Sequence, residues 1–119
     1  MSQPTQTKAE TLDRLRESAE RIRSCGVRRL DLFGSVLRGE AKPDSDVDVL
    51  VEFEPGAKTY DNFFQLSLLL EEVLGRRVEL LTRESLSPYI GPRILNEAEH
   101  VALGREFLQH PPGIRSAVN

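Results

Sequence analysis

The spacing of apolar residues along the chain indicates two amphipathic helices in its first two thirds. Over residues 8–25, which end before Gly26, apolar side chains recur every three or four positions: Leu12, Leu15, Ala19, Ile22 and Cys25. The same spacing predicts a largely buried second helix, capped by Thr59 or Asp61 and closed by Gly75. Its apolar residues are Phe63, Phe64, Leu66, Leu69, Leu70, Val73 and Leu74.

Strand patterns and one further helix complete the predicted order of elements. Alternating apolar and polar residues at 29–33 indicate a strand that runs into a tight turn at Gly34. The β-branched, alternating segment 46–53 predicts the clearest strand, and 77–82 a third, followed by a helix over 90–101. The order helix, strand, strand, helix, strand, helix predicts an α+β, two-layer fold with a small mixed sheet packed against helices.

Length and composition fit one globular domain. The chain has 119 residues, of which 39% are hydrophobic and 29% charged. We predict a domain over residues 8–108, with flexible termini at 1–7 and 109–119. A lone Cys25 cannot form an internal disulfide, and no Cys or His cluster has zinc-ligand spacing. Disulfide scaffolds and zinc modules are therefore excluded.

Charge and hydropathy narrow the choice of partners. No apolar stretch approaches the ~20 residues that span a bilayer, and the N-terminus is polar. We therefore predict a cytoplasmic protein with no membrane partner. Sixteen basic against nineteen acidic residues give a net charge of −3, which argues against direct binding to long nucleic acid. Small anions remain as possible ligands.

Between the first two predicted strands lies the motif G-S-x2-R-G-x5-S-D-x-D, which begins at Gly34. A glycine at a strand end lets the backbone approach a ligand closely, and Ser35 at the start of a helical turn offers a hydroxyl and free N–H groups. Arg38, one turn further on, matches phosphate oxygens through its guanidinium. The sequence therefore predicts a phosphate-binding turn.

The second half of the motif supplies carboxylates. Asp46 and Asp48 are two apart on a predicted strand, so their side chains project from one face. Two neighbouring acids repel each other unless a cation lies between them, and oxygen ligands beside a phosphate site favour Mg²⁺. Glu79 interrupts an apolar run in the third predicted strand. If that strand lies next to the Asp46 strand, Glu79 can face the same site as a third acid.

Together these residues closely resemble the signature of the minimal nucleotidyltransferase family, within the DNA polymerase β-like superfamily. The resemblance covers residues 29–101 and implies a nucleotidyltransferase fold. It also implies that Gly34 and Ser35 bind the nucleotide triphosphate, that Asp46 and Asp48 bind Mg²⁺, and that Glu79 is a metal ligand or base. The third acid is commonly Asp in the family, and here it is one methylene longer.

The resemblance also implies a partner. Members of this kind are often encoded beside an all-helical ribonuclease toxin of the HEPN type and act as its antitoxin. Some transfer AMP from ATP to a tyrosine of that toxin. The alternative is a catalytically idle copy of the fold, a binding module that neutralises its partner by contact alone.

Less specific interpretations exist for each site residue. Asp44, Asp46 and Asp48 resemble the opening of a calcium-binding EF-hand loop, but Val49 and Pro55 stand where that loop requires Gly and Glu. The Gly-Ser pair alone could be an ordinary turn. Arg38 could be a solvated surface charge, and Glu79 could be a structural acid paired with Arg76 or Arg77.

Other polar and aromatic residues have weaker claims. Arg93 and His100, and likewise Arg105 and His110, have spacings compatible with a HEPN-type ribonuclease motif, but that nuclease is built on helices alone. We therefore assign His100 to a helix surface. Tyr60 and Tyr89 are interpreted as packing aromatics, with self-modification as the alternative.

Overall fold

The computed structural model describes residues 7–40, 42 and 44–103. In these ranges the helices are α1 (Lys8–Glu17), α2 (Ala19–Arg23), α3 (Gly34–Arg38), α4 (Tyr60–Leu74) and α5 (Gly91–Glu97). The strands are β1 (Val27–Phe33), β2 (Val47–Phe53), β3 (Val78–Thr82) and β4 (Glu99–His100), and a 3₁₀ turn covers Arg83–Ser85. The predicted domain limit at 108 and the tail 109–119 lie outside the described residues.

The N-terminal helix is divided, which corrects the prediction of one continuous helix over residues 8–25. Thr7 caps α1 through a capping box with Glu10, and the helix ends at Ser18, whose φ and ψ are −101° and 18°. Serine is unfavourable inside a helix because its hydroxyl can hydrogen-bond to nearby backbone groups and so favours non-helical turns. The second segment, α2, still buries Ile22 completely, so the apolar face continues across the break.

The four strands form one mixed sheet in the order β3-β2-β1-β4. The pairs β1–β2 and β1–β4 are antiparallel, and β2–β3 is parallel. Strand β2 is therefore central, with Asp48 opposite Phe33 on one side and opposite Glu79 on the other. The predicted α+β architecture with a small mixed sheet is confirmed.

One face of the sheet packs against α1, α2 and α4. Val47, Val49 and Val51 alternate along β2 and are fully buried in the same cluster as Leu15 and Leu70. Alternate strand residues point to opposite faces. The helices thus cover the valine side of β2 and leave the Asp48 side away from this core.

The C-terminal helix is shorter than predicted: α5 ends at Glu97, and His100 lies in an edge strand rather than on a helix. His100 pairs with Asp31 of β1, where its Nδ1 lies 3.3 Å from the Asp31 carboxylate, and Val101 N–H donates to Leu30 O. An exposed edge of β1 would leave unpaired backbone groups. The backbone hydrogen bonds gained by pairing residues 99–100 with that edge stabilise the chain more than further helical turns would.

The two tyrosines, interpreted as packing aromatics, both lie at the surface. Tyr60 is 81% exposed and Tyr89 is 89% exposed, so neither packs in the core. Tyr60 stacks on Phe64 with ring centroids 6.3 Å apart on the outer side of α4. Within residues 7–40, 42 and 44–103, no helix is both long and apolar enough to cross a bilayer.

Candidate active site

The two motif aspartates lie where the chain enters the central strand. Asp46 is the last residue before β2, and Asp48 is the second residue within it. Val47 between them is fully buried on the opposite face. The alternation of the strand therefore places both carboxylates on the face away from the helices, as the sequence predicts.

Gly34 brings the turn after β1 against Asp48. Its φ is +80°, a conformation that L side chains rarely adopt, and a Cβ built on it would lie 2.1 Å from Asp48 Oδ2. Phe33, the residue before it, is the register partner of Asp48. A glycine is thus required here for two independent reasons, the backbone conformation and the close approach of the carboxylate.

Glu79 lies beside Asp48, on the neighbouring parallel strand. The register pairs the two residues directly, so the prediction that Glu79 faces the same side of the sheet is confirmed. Burial, followed by the charges of Glu79 and Asp46, raises the pKa of Asp48 from 3.8 to about 6, and the charge of Arg38 opposes this rise. The site therefore concentrates negative charge in a partly desolvated position.

Asp46 has an oxygen that suits a cation. Its Oδ1 is buried and lies 3.2 Å from Arg77 Nε, yet no donor in the described part of the chain is aligned to hydrogen-bond it. A buried carboxylate oxygen without a hydrogen bond is costly. Together with Asp48 it offers the hard oxygen ligands that Mg²⁺ prefers. The residues present fit a divalent cation.

Asp46, Asp48 and Glu79 do not lie close enough together to hold one metal ion as a group of three. Among the described residues, no group of three or more His, Cys, Asp or Glu side chains lies close enough to hold one metal ion. Glu79 is exposed at its position in β3. It does not pair with Arg77, which instead contacts Asp46. The structure thus brings together Asp46, Asp48 and Gly34, with Glu79 adjacent to Asp48.

Arg38 has carboxylate partners that the sequence did not reveal. Its guanidinium lies 3.0 Å from Glu40 and 2.9 Å from Glu97, the last residue of α5. Its charge is nevertheless close enough to oppose the raised pKa of Asp48. Arg38 is therefore at the rim of the site, and it would have to exchange these carboxylates for a phosphate. Ser35, in the same helix α3, is half-buried next to Gly34.

Sequence reasoning missed how the loop before Asp46 is held. Ser45 of the motif accepts a hydrogen bond from Lys42 N–H at its hydroxyl, and its own N–H donates to Lys42 O. Arg76 Nη2 donates to the same carbonyl of Lys42 at 2.7 Å and to Ser45 O. The only signal in the sequence is a pair of arginines after the helix-ending Gly75.

Comparison with known proteins identifies the family. The sequence profile of the nucleotidyltransferase domain matches residues 12–101. The protein adenylyltransferase MntA of Thermococcus cleftensis is 46% identical over 76 residues, which is 64% of this chain and 76% of MntA. The structure of a candidate minimal nucleotidyltransferase is 39% identical, with a TM-score of 0.60 over 76% of this chain and 94% of that one. This chain belongs to the minimal nucleotidyltransferase family.

The fold of this nucleotidyltransferase also recurs in a more distant structure. A toxin-antitoxin crystallised with AMP-PNP has a TM-score of 0.53 and 21% identity, and the match covers 93% of this chain and 94% of that one. At that identity the likeness establishes the fold alone. The two chains therefore share the arrangement of sheet and helices described above.

Acidification should stabilise the metal-free nucleotidyltransferase at this site. The folded-state pKa of Asp48, about 6, lies above the 3.8 of the unfolded chain, so the folded state binds more protons between these values. Charged Asp48 therefore destabilises the fold above pH 6, and this penalty disappears as pH falls towards 4. A shift of this size corresponds to about 1–2 kcal/mol at pH 7 once solvent screening is allowed for.

The measurement is denaturant unfolding in chelator at pH 7 and pH 5, for the wild type and Asp48→Asn. Other acids titrate in both proteins, so the difference between the two pH responses isolates Asp48. The wild type should gain more stability on acidification than the variant does. Equal responses would show that Asp48 ionises normally in the folded state.

Proposed function

We propose that this nucleotidyltransferase transfers AMP from ATP to a tyrosine hydroxyl of a partner protein in a Mg²⁺-dependent reaction, and that it acts as the antitoxin of a HEPN-type ribonuclease toxin. The observation that carries the chemistry is the contact of Gly34 with Asp48 beside the buried oxygen of Asp46. This contact brings a backbone turn that can bind phosphate next to carboxylates that can bind a cation. The name of the Thermococcus relative supports protein as the acceptor.

Each residue of the site has a role in this proposal. Asp46 and Asp48 hold Mg²⁺, which when bound neutralises charge on the triphosphate and activates the acceptor oxygen. Gly34 and Ser35 present backbone N–H groups at the start of α3, where the first helical donors have no partner within the helix. They bind the β and γ phosphates. Arg38 reaches a phosphate from the rim when it leaves Glu40 and Glu97.

The bond changes balance without any further reactant. The acceptor hydroxyl oxygen forms a bond to the α-phosphorus, and the bond from that phosphorus to the bridging oxygen of the β phosphate breaks. Pyrophosphate leaves with the electron pair, and Glu79 takes the proton of the hydroxyl. Most of the rate enhancement comes from positioning and charge neutralisation, as in other phosphoryl transfers.

One observation favours the alternative of an idle binding module. The cations near the site are paired within the chain, with Arg77 on Asp46 and Arg38 on Glu97. A protein that neutralises its partner by contact alone needs no open metal site, and its acidic balance of −3 suits the basic cleft of a ribonuclease. This candidate predicts inhibition without any covalent change.

The deciding experiment uses the product of the neighbouring gene, which we propose to be a HEPN-type ribonuclease. It is incubated with substoichiometric nucleotidyltransferase, ATP and Mg²⁺, and the nucleotidyltransferase is then removed. We expect the ribonuclease to stay inactive and to gain mass in whole AMP units on its tyrosine. Recovery of activity with unchanged mass would establish inhibition by contact.

Two further arms sharpen the result. Replacing ATP by another nucleoside triphosphate tests the nucleobase, and Glu79→Gln tests the third acid. Loss of transfer in Glu79→Gln, with Mg²⁺-dependent nucleotide binding retained, would support its role in taking the proton. Unchanged transfer would leave the two aspartates as the whole of the carboxylate set.

A further inference from the structure

Arg76 is a buried cation between helix α4 and strand β3. Its side chain emerges after Gly75, which ends α4 with φ of +66°, and Arg76 as a whole is only 9% exposed. A buried guanidinium loses hydration and must recover it through hydrogen bonds. Its Nη2 does so by donating to the carbonyl oxygens of Lys42 and Ser45, 34 and 31 residues earlier in the chain.

Those two carbonyls lie shortly before strand β2, which Asp46 immediately precedes and which contains Asp48. Ser45 N–H donates to Lys42 O and the Ser45 hydroxyl accepts from Lys42 N–H, so these two residues are bonded to each other just before Asp46. On the other side of Asp46, Val47 N–H donates to Arg77 O at 2.9 Å. The backbone is therefore held by the Arg76–Arg77 segment immediately before and immediately after the carboxylate.

We propose that Arg76 is the positioning residue of Asp46: it holds the backbone at Lys42 and Ser45, so that the Asp46 carboxylate is placed beside Asp48 before the cation arrives. The inference rests on the proposed role of these aspartates as metal ligands. Arg76 acts on Asp46 through the backbone, because its Nη2 donates to Lys42 O and Ser45 O. A planar guanidinium can address two carbonyls at once, which a lysine ammonium does with less directional control.

Arg77, the adjacent residue, provides a matched control. It carries the same charge, but its side chain is 78% exposed and contacts Asp46 directly. Its positive charge competes with a divalent cation for the same oxygen, whereas Arg76 prepares the site for the cation. Removing the two charges should therefore change Mg²⁺ binding in opposite directions, although both substitutions alter the net charge equally.

The test is a Mg²⁺ titration of AMP-PNP binding by calorimetry, with wild type, Arg76→Gln, Arg76→Lys and Arg77→Gln. Arg76→Gln should raise the Mg²⁺ concentration for half-saturation about tenfold, the scale seen when a group that supports a metal ligand is removed. Arg76→Lys should give an intermediate value. Arg77→Gln should lower that concentration, because it removes the cation that contacts Asp46.

A second measurement does not depend on the cation. Amide hydrogen exchange in chelator should be faster at Ser45 in Arg76→Gln than in wild type, because the carbonyl that Ser45 N–H bonds to is no longer held. The same amide should keep its wild-type rate in Arg77→Gln, whose backbone contact to Val47 is retained. This result is expected whether or not nucleotide binds.

The outcomes separate the inference from the proposed function. If wild type binds no AMP-PNP with Mg²⁺, the proposed function fails, and the exchange rates alone decide whether Arg76 holds the loop. If wild type binds but Arg76→Gln shows only a lower melting temperature, with wild-type half-saturation and exchange, Arg76 is merely structural and the inference is wrong. Should Arg76→Gln not fold, Arg76→Lys is decisive by the same two readouts.

Discussion

Asp46→Asn combined with Asp48→Asn is expected to abolish nucleotidyl transfer, by on the order of 10³-fold or more, and Mg²⁺-dependent binding of ATP. The amides keep the size of the side chains but lose the charge that holds a cation. Asp46 Oδ1 is already buried without a hydrogen bond, so an amide there is no worse satisfied than the carboxylate. The double substitution should therefore abolish transfer without unfolding the protein.

In chelator the double variant should be as stable as the wild type or more stable. Burial and the charges of Glu79 and Asp46 raise the pKa of Asp48 to about 6, so the ionised carboxylate opposes folding at neutral pH. Neutral amides remove that cost. Loss of the ion pair between Asp46 and the exposed Arg77 subtracts little, because surface pairs contribute at most about 1 kcal/mol.

Transfer is measured on the proposed partner protein by intact mass, and stability by thermal melting in chelator. Asp44→Asn is the matched control, since Asp44 is exposed two residues before Asp46 and is changed in the same way. It should leave both quantities unaltered. A double variant that melts far below wild type would mean that the carboxylate pair supports the fold rather than a cation.

Gly34→Ala is expected to lose nucleotide binding and about 2–4 kcal/mol of stability. The φ of +80° disfavours any side chain, and the added methyl would lie 2.1 Å from Asp48 Oδ2. Asp48 would have to move, and β2 cannot shift readily because it pairs with a strand on each side. Denaturant unfolding and calorimetric titration of ATP with Mg²⁺ measure the two effects.

Gly39→Ala separates the two causes. Gly39 also has a positive φ, +74°, but a Cβ there would meet nothing within 4 Å. Gly39→Ala should lower the free energy of unfolding only by the cost of the positive φ, about 1 kcal/mol. It should keep nucleotide binding. In an Asp48→Ala background, Gly34→Ala should cost less than it does alone. Equal losses at Gly34 and Gly39 would contradict a close packing of the turn against Asp48.

Local pattern sufficed for most of the elements. The buried stripe of α4 from Leu66 to Leu74, its Thr59 cap and its end at Gly75 agree with the prediction, because the apolar period and the cap residues are encoded within a few positions of each other. Phe64, predicted in the same apolar set, is 49% exposed. The strand 46–53 is confirmed apart from its first residue. The errors fall at Ser18 and after Glu97, where tertiary pairing or a local turn overrides the helical period.

The sequence by itself determined which groups the candidate site contains: a glycine and a serine at a strand end, two aspartates on one face of a strand, and an acid in the strand that follows. The tertiary structure alone decided how these groups meet. The parallel register puts Glu79 beside Asp48, the turn after β1 brings Gly34 against the same carboxylate, and Arg76 reaches a loop 34 residues away. Strand order and register are set by contacts between segments that are distant in the sequence, so they cannot be predicted from residue spacing along the chain.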